Sequence, residues 1–363
     1  MVHFGILFLC GLFGLAALAS AHPGHDVHSE ASERAQFLKR TPIEKRSLSH
    51  CANHLKSRGH EAANVARRVH TAQQIIRKRD VGIAPRGLSS LNTTHHSTLH
   101  GLSPFTEPEV LFSSNATCVL GEDTTEGPYY VSGELIRQNI VEDQAGVPLF
   151  LDLQLIDTNT CEPLSKAYID LWHCNATGIY SGVVAGSNGN PTDLGNINKT
   201  FLRGIQQTDA NGVVQFETIF PGHYTGRTVH IHVLSHTANE TIRLANDTIS
   251  GLYSTHASHV GQLFFDQHLI SNVEASSSYT ANEQALTAND EDYILLQEAE
   301  DIDPFMQYVL LGETIENGIF AWASMGIDST ADKSVSIASY HTEGGGVKNK
   351  NPTYVSHNQS PTP

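Results

Sequence analysis

Hydrophobic and polar positions alternate with a period of two in several short stretches of the chain. Leu149, Leu151, Leu153 and Leu155 interleave with Phe150, Asp152, Gln154 and Ile156, which predicts a strand. Ala167–His173 predicts a second strand after the turn Asp157-Thr158-Asn159. In the segment 204–220, Asp209-Ala210-Asn211-Gly212 forms a tight turn between two further strands. Val229, Ile231 and Val233 alternate with His230 and His232, so the apolar trio faces a core and both imidazoles project from the opposite face. Residues 259–266 predict one more strand, and Val309–Ser324 one or two, with Gly312 and Gly318 as turns. Short strands separated by Gly, Asn and Pro turns predict an all-β fold, an antiparallel β-sandwich.

Helical periodicity is scarce. Between Ser47 and Arg79 breakers are few, and Ala63, Val65, Ala66, Val69, Ala72 and Ile75 form an apolar stripe, which predicts a short N-terminal helix. Residues 281–301 are acidic, with a short helix expected in "DEDYILLQEAEDI". Residues 336–363, with Gly344-Gly345-Gly346 and a polar, proline-containing end, predict a disordered tail. The expected organisation is 1–21 signal peptide, 22–80 basic helical or propeptide-like segment, 81–117 linker, 118–335 sandwich domain and 336–363 tail.

Charge sharpens that division. Of the 22 Lys+Arg and 38 Asp+Glu in the 363 residues, the first 80 hold 12 and 6, a net +6. The remainder, with 22 − 12 = 10 basic and 38 − 6 = 32 acidic residues, carries −22. Nucleic acid is not expected as a partner of so acidic a body. The opening apolar run ends in Ala19-Ser20-Ala21, the pattern of a secretory signal peptide, and no later stretch predicts a membrane span. The mature protein is expected to be extracellular, soluble and without a membrane partner.

Two further features suit that compartment. Beyond Cys10, four cysteines remain (Cys51, Cys118, Cys161 and Cys174), enough for two disulfides in any of three pairings. Glycan acceptor motifs begin at Asn92, Asn115, Asn175, Asn198, Asn239, Asn246 and Asn358. The dibasic pairs Lys39-Arg40, Lys45-Arg46, Arg67-Arg68 and Lys78-Arg79 suggest processing, or a charged helix that stays attached.

The paired histidines, with Arg227 three residues before the first, look like half of a metal site. Tyr130 and Tyr180, each in a turn-rich setting, are the candidates to complete it. A phenol titrates near ~10, and a strongly Lewis-acidic ion is needed to hold it as phenolate. Two imidazoles with two phenolates therefore point to Fe(III) rather than zinc or ferrous iron.

The chain resembles the intradiol ring-cleavage dioxygenases. The resemblance lies in "EGPYYVSG" (126–133), "DLWHCNATGIYSG" (170–182), "GRTVHIHV" (226–233) and "GQLFFD" (261–266), in the family's order. It implies a non-haem Fe(III) site with Tyr130, Tyr180, His230 and His232 as metal ligands. Tyr180 is implied to leave the metal and take up a proton when substrate binds. Arg227 is implied to stabilise negative charge developing on the substrate ring, and Gln262 to lie just outside the ligand set. The implied reaction cleaves a catechol between its two hydroxylated carbons with O2, without an organic cofactor. Secretion and glycan motifs resemble the fungal extracellular branch. His223 and His236 are further candidates to shape the substrate site. Two other readings are a non-catalytic secreted β-sandwich glycoprotein with a vestigial metal site, and a zinc hydrolase. The second lacks a carboxylate base near the histidine pair. Oligomeric state is not legible.

Overall fold

The computed structural model describes residue 39 and residues 48–79, 127–236, 241–250, 256–299 and 303–350. The signal peptide, the linker, Cys118 and the acceptor motifs at Asn92, Asn115, Asn239 and Asn358 lie outside the described residues. In chain order the helices are α1 (Ala52–Ser57), α2 (His60–Lys78), α3 (Gln267–Glu274) and α4 (Tyr293–Glu298). The first strands are β1 (Val131–Ser132), β2 (Pro148–Asp157), β3 (Tyr168–Trp172), β4 (Arg203–Gln207), β5 (Val213–Ile219) and β6 (His230–His236). They continue as β7 (His256–Ala257), β8 (His259–Phe264), β9 (Gln307–Leu310), β10 (Ile319–Ile327), β11 (Lys333–Ser334), β12 (Ser339–Thr342) and β13 (Gly345–Lys348).

Two four-stranded sheets, ordered β5-β2-β10-β9 and β4-β3-β6-β8, enclose one apolar core. Leu149, Leu151, Leu153 and Leu155 of β2 meet Ile169 and Leu171 of β3 and Ile231 and Val233 of β6 there. The period-two expectation therefore holds for each of these strands. All pairings within the second sheet are antiparallel, whereas β2 and β10 of the first run parallel in register Ile319↔Leu149 through Ile327↔Asp157. The sandwich is thus mixed rather than wholly antiparallel. The pairing joins segments about half a chain apart, which no local pattern reveals.

The outer faces are covered as well. On the first sheet, Phe150, Val309, Leu311, Phe320 and Trp322 pack under Val65 and Ala72 of α2. Arg67 and Arg68 of that helix reach the fully buried Asp152, at 2.8 and 3.2 Å. The expected N-terminal helix is therefore two helices broken at Gly59, whose φ of 72° suits glycine. A Cys51–Cys161 disulfide fastens this N-terminal segment to the sandwich across 110 residues of sequence. Among the described residues Cys174 is a free cysteine, and its buried thiol donates to Gly222 O at 3.2 Å.

The expectation of a disordered tail from residue 336 is corrected. β12 and β13 form an antiparallel pair, and β12 adds in parallel to β1. The Gly-rich run hid these strands because the chain passes close to Ile197: a Cβ at Gly346 would strike that residue's carbonyl. Helix α3 was also unforeseen. Asp266 caps it by accepting from Leu269 N at 2.9 Å, and Leu269, Ile270 and Val273 are buried in the core. Among the described residues, no helix is long and apolar enough to cross a membrane.

Candidate metal centre

The outward face of the second sheet carries the chemistry. With Ile231 and Val233 in the core, His230 and His232 point away from it, beside Trp172 of the adjoining β3. Trp172 stacks on His232 with ring centroids 4.9 Å apart and planes 2° from parallel. Gly127 closes over the other atoms of that ring: a Cβ there would lie 3.0 Å from His232 Cε1. The two histidines are 2% and 1% exposed, so neither is a surface residue.

The tautomer of His230 follows from its hydrogen bond. Its Nδ1 sits 2.6 Å from Thr228 O, a carbonyl that only accepts, so Nδ1 carries the proton and Nε2 offers a lone pair. Two groups crowd that lone pair: His232 Nε2 at 3.1 Å and the Tyr224 hydroxyl at 3.2 Å. Next to them the Tyr180 hydroxyl is buried without a hydrogen-bond partner of normal geometry. The Tyr180 ring meets Tyr224 edge-on at 5.6 Å and His232 at 6.0 Å.

This arrangement fits a metal ion better than it fits a closed hydrogen-bond network. One lone pair serves two neighbours poorly, whereas adjacent ligands of an ion bound at ~2.1 Å stand about 3 Å apart. A backbone carbonyl holding the far nitrogen of His230 is the usual support of a ligating imidazole. Two phenols and two imidazoles form a donor set for a hard, highly charged ion. Burial pushes both phenols well above the ordinary range; for Tyr180 the Tyr224 phenol adds to this. For both, the Arg227 charge acts the other way. Only a cation between them would make phenolates here.

The structure sets Tyr130 among other partners than the histidine pair. Tyr130 packs on Trp172, with ring centroids 5.1 Å apart, but its phenol faces the carboxylates of Asp170 and Glu134. After burial, those carboxylates are what push it far up, with Arg203 opposing. A phenol set against buried acids is poorly placed to become an anion. Tyr224 stands in the position expected of Tyr130. It lies in the turn "PGHYTGR", six residues before His230, and the motif that contains the histidines already held it. Tyr129 is likewise near the centre, 4.9 Å from the Tyr180 ring, with its hydroxyl 2.7 Å from Ser187 Oγ.

Arg227 and Gln262 lie beside the histidine pair. Gln262 is the register partner of His232 on β8, and its Oε1 accepts from Arg227 Nη2 at 2.6 Å. Arg227 Nε donates to Asp292 at 2.8 Å, a partner that sequence reasoning did not find. Burial works against the Asp292 charge, but Arg227 and the backbone N–H groups of Thr228 and Leu295 outweigh it and hold its carboxyl low. His223 instead pairs with Glu274 at 2.8 Å. His236 faces Asp170 at 3.6 Å, yet burial lowers it to about 4, so it is a neutral neighbour and not an ion-pair partner.

The His50, Cys51 and Cys161 group has the residue types of a metal site, but both its sulfurs are spent in the disulfide. Beside the tyrosine centre, a cavity of about 440 Å³ is lined by Ile179, Ser187 and Thr225, together with Asn282 and Gln284. Ile179 and Thr225 are chain neighbours of Tyr180 and Tyr224, and Ser187 bonds Tyr129, so the cavity lies next to the loops that carry the phenols.

Residues 125–295 match the family model Dioxygenase_C, described as a dioxygenase. Among solved structures, an intradiol ring-cleavage dioxygenase from Tetranychus urticae is 31% identical, with 59% of this chain and 96% of that chain covered at a TM-score of 0.47. The dioxygenase domain of a dioxygenase carbohydrate-binding protein fusion from Streptomyces sp. SirexAA-E is 22% identical, covering 58% and 98% at a TM-score of 0.34. Catechol 1,2-dioxygenase from Pseudomonas arvilla C-1 is 20% identical, covering 56% and 60% at 0.35. No curated protein matches the chain. On the family match and the 31% identity, the chain belongs to the intradiol ring-cleavage dioxygenases.

Proposed function

We propose that this protein is an Fe(III)-dependent dioxygenase that opens the aromatic ring of catechols between the two hydroxylated carbons, adding both atoms of O2. The observation that carries the reading is the convergence of Tyr180, Tyr224, His230 and His232 on one buried point, with Arg227 and Gln262 beside them. Ferric iron, when bound, supplies a Lewis acid that draws the catechol into its dianionic form and opens it to O2.

The protein's own groups do the rest. His230 and His232, held by Thr228 O and the Trp172 face, fix one side of the site. Tyr180 and Tyr224 are the two phenols able to accept a catechol proton. Arg227 offers a fixed positive charge to the ring as it becomes negative, and Asp292 keeps the guanidinium from turning. The near-complete burial of these groups keeps water out, which strengthens each of these interactions.

Extracellular action belongs to the same proposal, supported by the signal-like residues 1–21 and the Cys51–Cys161 disulfide.

Protein expressed with iron should be burgundy from tyrosinate-to-iron charge transfer, hold one iron per chain, and take up one O2 per catechol. Protein that is colourless and iron-free under those conditions would overturn the proposal.

A further inference from the structure

The segment from Asn282 to Asp292 runs alongside residues 223–228 and bonds to them almost residue by residue. Asn282 Nδ2 donates to His223 O at 2.8 Å, and Thr225 N donates to Gln284 Oε1 at 3.4 Å. Gly226 N donates to Thr287 Oγ1 at 3.1 Å, Thr228 Oγ1 donates to Asn289 Oδ1 at 2.5 Å, and Asp292 takes Thr228 N and Arg227. The acidic, weakly patterned stretch is thus a strap that sets the path of the Tyr224 turn into β6.

One residue of the strap also reaches the other phenol. Gln284 Nε2 donates to Thr177 O at 3.0 Å and to Gly178 O at 3.4 Å, three and two residues before Tyr180. Its backbone carbonyl lies 3.0 Å from His223 Nε2, next in the chain to Tyr224. The contact is tight: at Gly178, with φ of 77°, a Cβ would strike both His223 O and the Gln284 amide. Asn175 Oδ1 also braces the Tyr180 loop from within, accepting from Thr177 N and Ile179 N. The two phenol-bearing loops also touch directly, Gly222 N donating to Asn175 O at 3.2 Å, and Asn282 Nδ2 spans Ala176 O and His223 O at 3.4 and 2.8 Å; the Gln284 side chain is the tie that lies nearest both tyrosines.

We infer that Gln284 is a positioning residue that sets the spacing of Tyr180 and Tyr224. It touches neither phenol, and acts by tying the backbone that carries one to the backbone that carries the other. The inference rests on the proposed ferric centre, where the distance between two phenolate ligands governs both how firmly iron is held and the energy of the charge-transfer band.

The test compares iron-loaded full-length wild type with Gln284→Met, which removes both ties, and Gln284→Glu, which keeps only the acceptor for Thr225 N. Iron release to a chelator, the charge-transfer maximum and the melting temperature of the metal-free protein are measured for each. Gln284→Met should release iron about 10- to 100-fold faster with a shifted maximum, Gln284→Glu should fall between, and the metal-free melting temperatures should agree. Release rates and spectra equal to wild type would overturn the inference. So would a metal-free melting temperature that falls in step with iron release, since Gln284 would then be a structural residue. A wild type without iron or colour would instead overturn the proposed function.

Discussion

Asp292 and Arg227 meet at 2.8 Å with neither side chain exposed to solvent. Such a pair contributes less through its attraction than it would cost if one partner were lost, because the survivor is left buried and uncompensated. Asp292→Ala should therefore destabilise the protein by about 3–5 kcal/mol in urea unfolding. Asp292→Asn, which keeps a hydrogen-bond acceptor for Thr228 N but not the charge, should fold better yet lose activity because Arg227 is freed to turn. A wild-type urea midpoint for Asp292→Ala would count against the pair's structural role.

The proposed ligand Tyr224 and the neighbouring Tyr130 make opposite predictions. Tyr224→Phe removes a donor 3.2 Å from His230 Nε2, and should weaken iron binding or activity by about 10- to 100-fold and alter the charge-transfer spectrum. Tyr130→Phe leaves every donor of the centre in place, so iron content and band position should match wild type. Absorption spectra of the two purified variants decide it, and the reverse pattern would restore Tyr130 as the ligand.

Behind Tyr130, Glu134 and Asp170 share one compensating guanidinium among the described residues, Arg203, 3.0 Å from Glu134. One carboxylate can be balanced and the other must keep a proton. Burial accordingly raises Glu134 well above its usual range and Asp170 from 3.8 to about 6. For Asp170 the folded value exceeds the unfolded one. Its contribution to stability is complete below about pH 3.8 and is lost as pH rises through about 6. Melting temperature should drop across that interval by an amount corresponding to a few kcal/mol, and Asp170→Asn should flatten the profile. An unchanged slope in the variant would remove Asp170 as its source.

The Cys51–Cys161 bridge closes a loop of 110 residues, for which the chain-entropy account gives about 4–5 kcal/mol. Cys51→Ser should lower the urea midpoint accordingly. Asp152 provides a second, pH-dependent fastening: Arg67 and Arg68 overcome the effect of burial and lower its pKa below 3.8. That attachment is present above about pH 3.8 and lost as pH falls through the depressed value. Limited proteolysis of the Cys51→Ser protein should accordingly release residues of α2 more readily at low pH than at neutral pH, and equal release at both would argue against the Asp152 contact.

Most of the sandwich was legible because its strands face one shared core, and alternation records which face each side chain takes. The same parity placed His230 and His232 together on the outward face. What separated Tyr130 from Tyr224 was not local. Both sit in glycine- and proline-rich turns, and only the folded chain sets one against Asp170 and the other against His230. Asp292 was hidden for a similar reason, being 65 residues from Arg227 in a stretch whose acidity reads as surface. Helix α3 did carry its signals, Asp266 as cap and Leu269, Ile270 and Val273 on one side, but in only eight residues.

The parallel pairing of β10 with β2 also bears on how the chain is made. β10 occupies an inner position of its sheet, between a strand near the middle of the sequence and β9. Until residues 319–327 have been synthesised, β2 has a neighbour on only one side, and the hydrogen-bonding edge meant for β10 stays open. Contacts so distant in sequence form slowly, and an exposed strand edge is prone to pair with another chain. A chain ending before Ile319 should therefore collect as aggregate, even though every donor of the metal centre precedes that point.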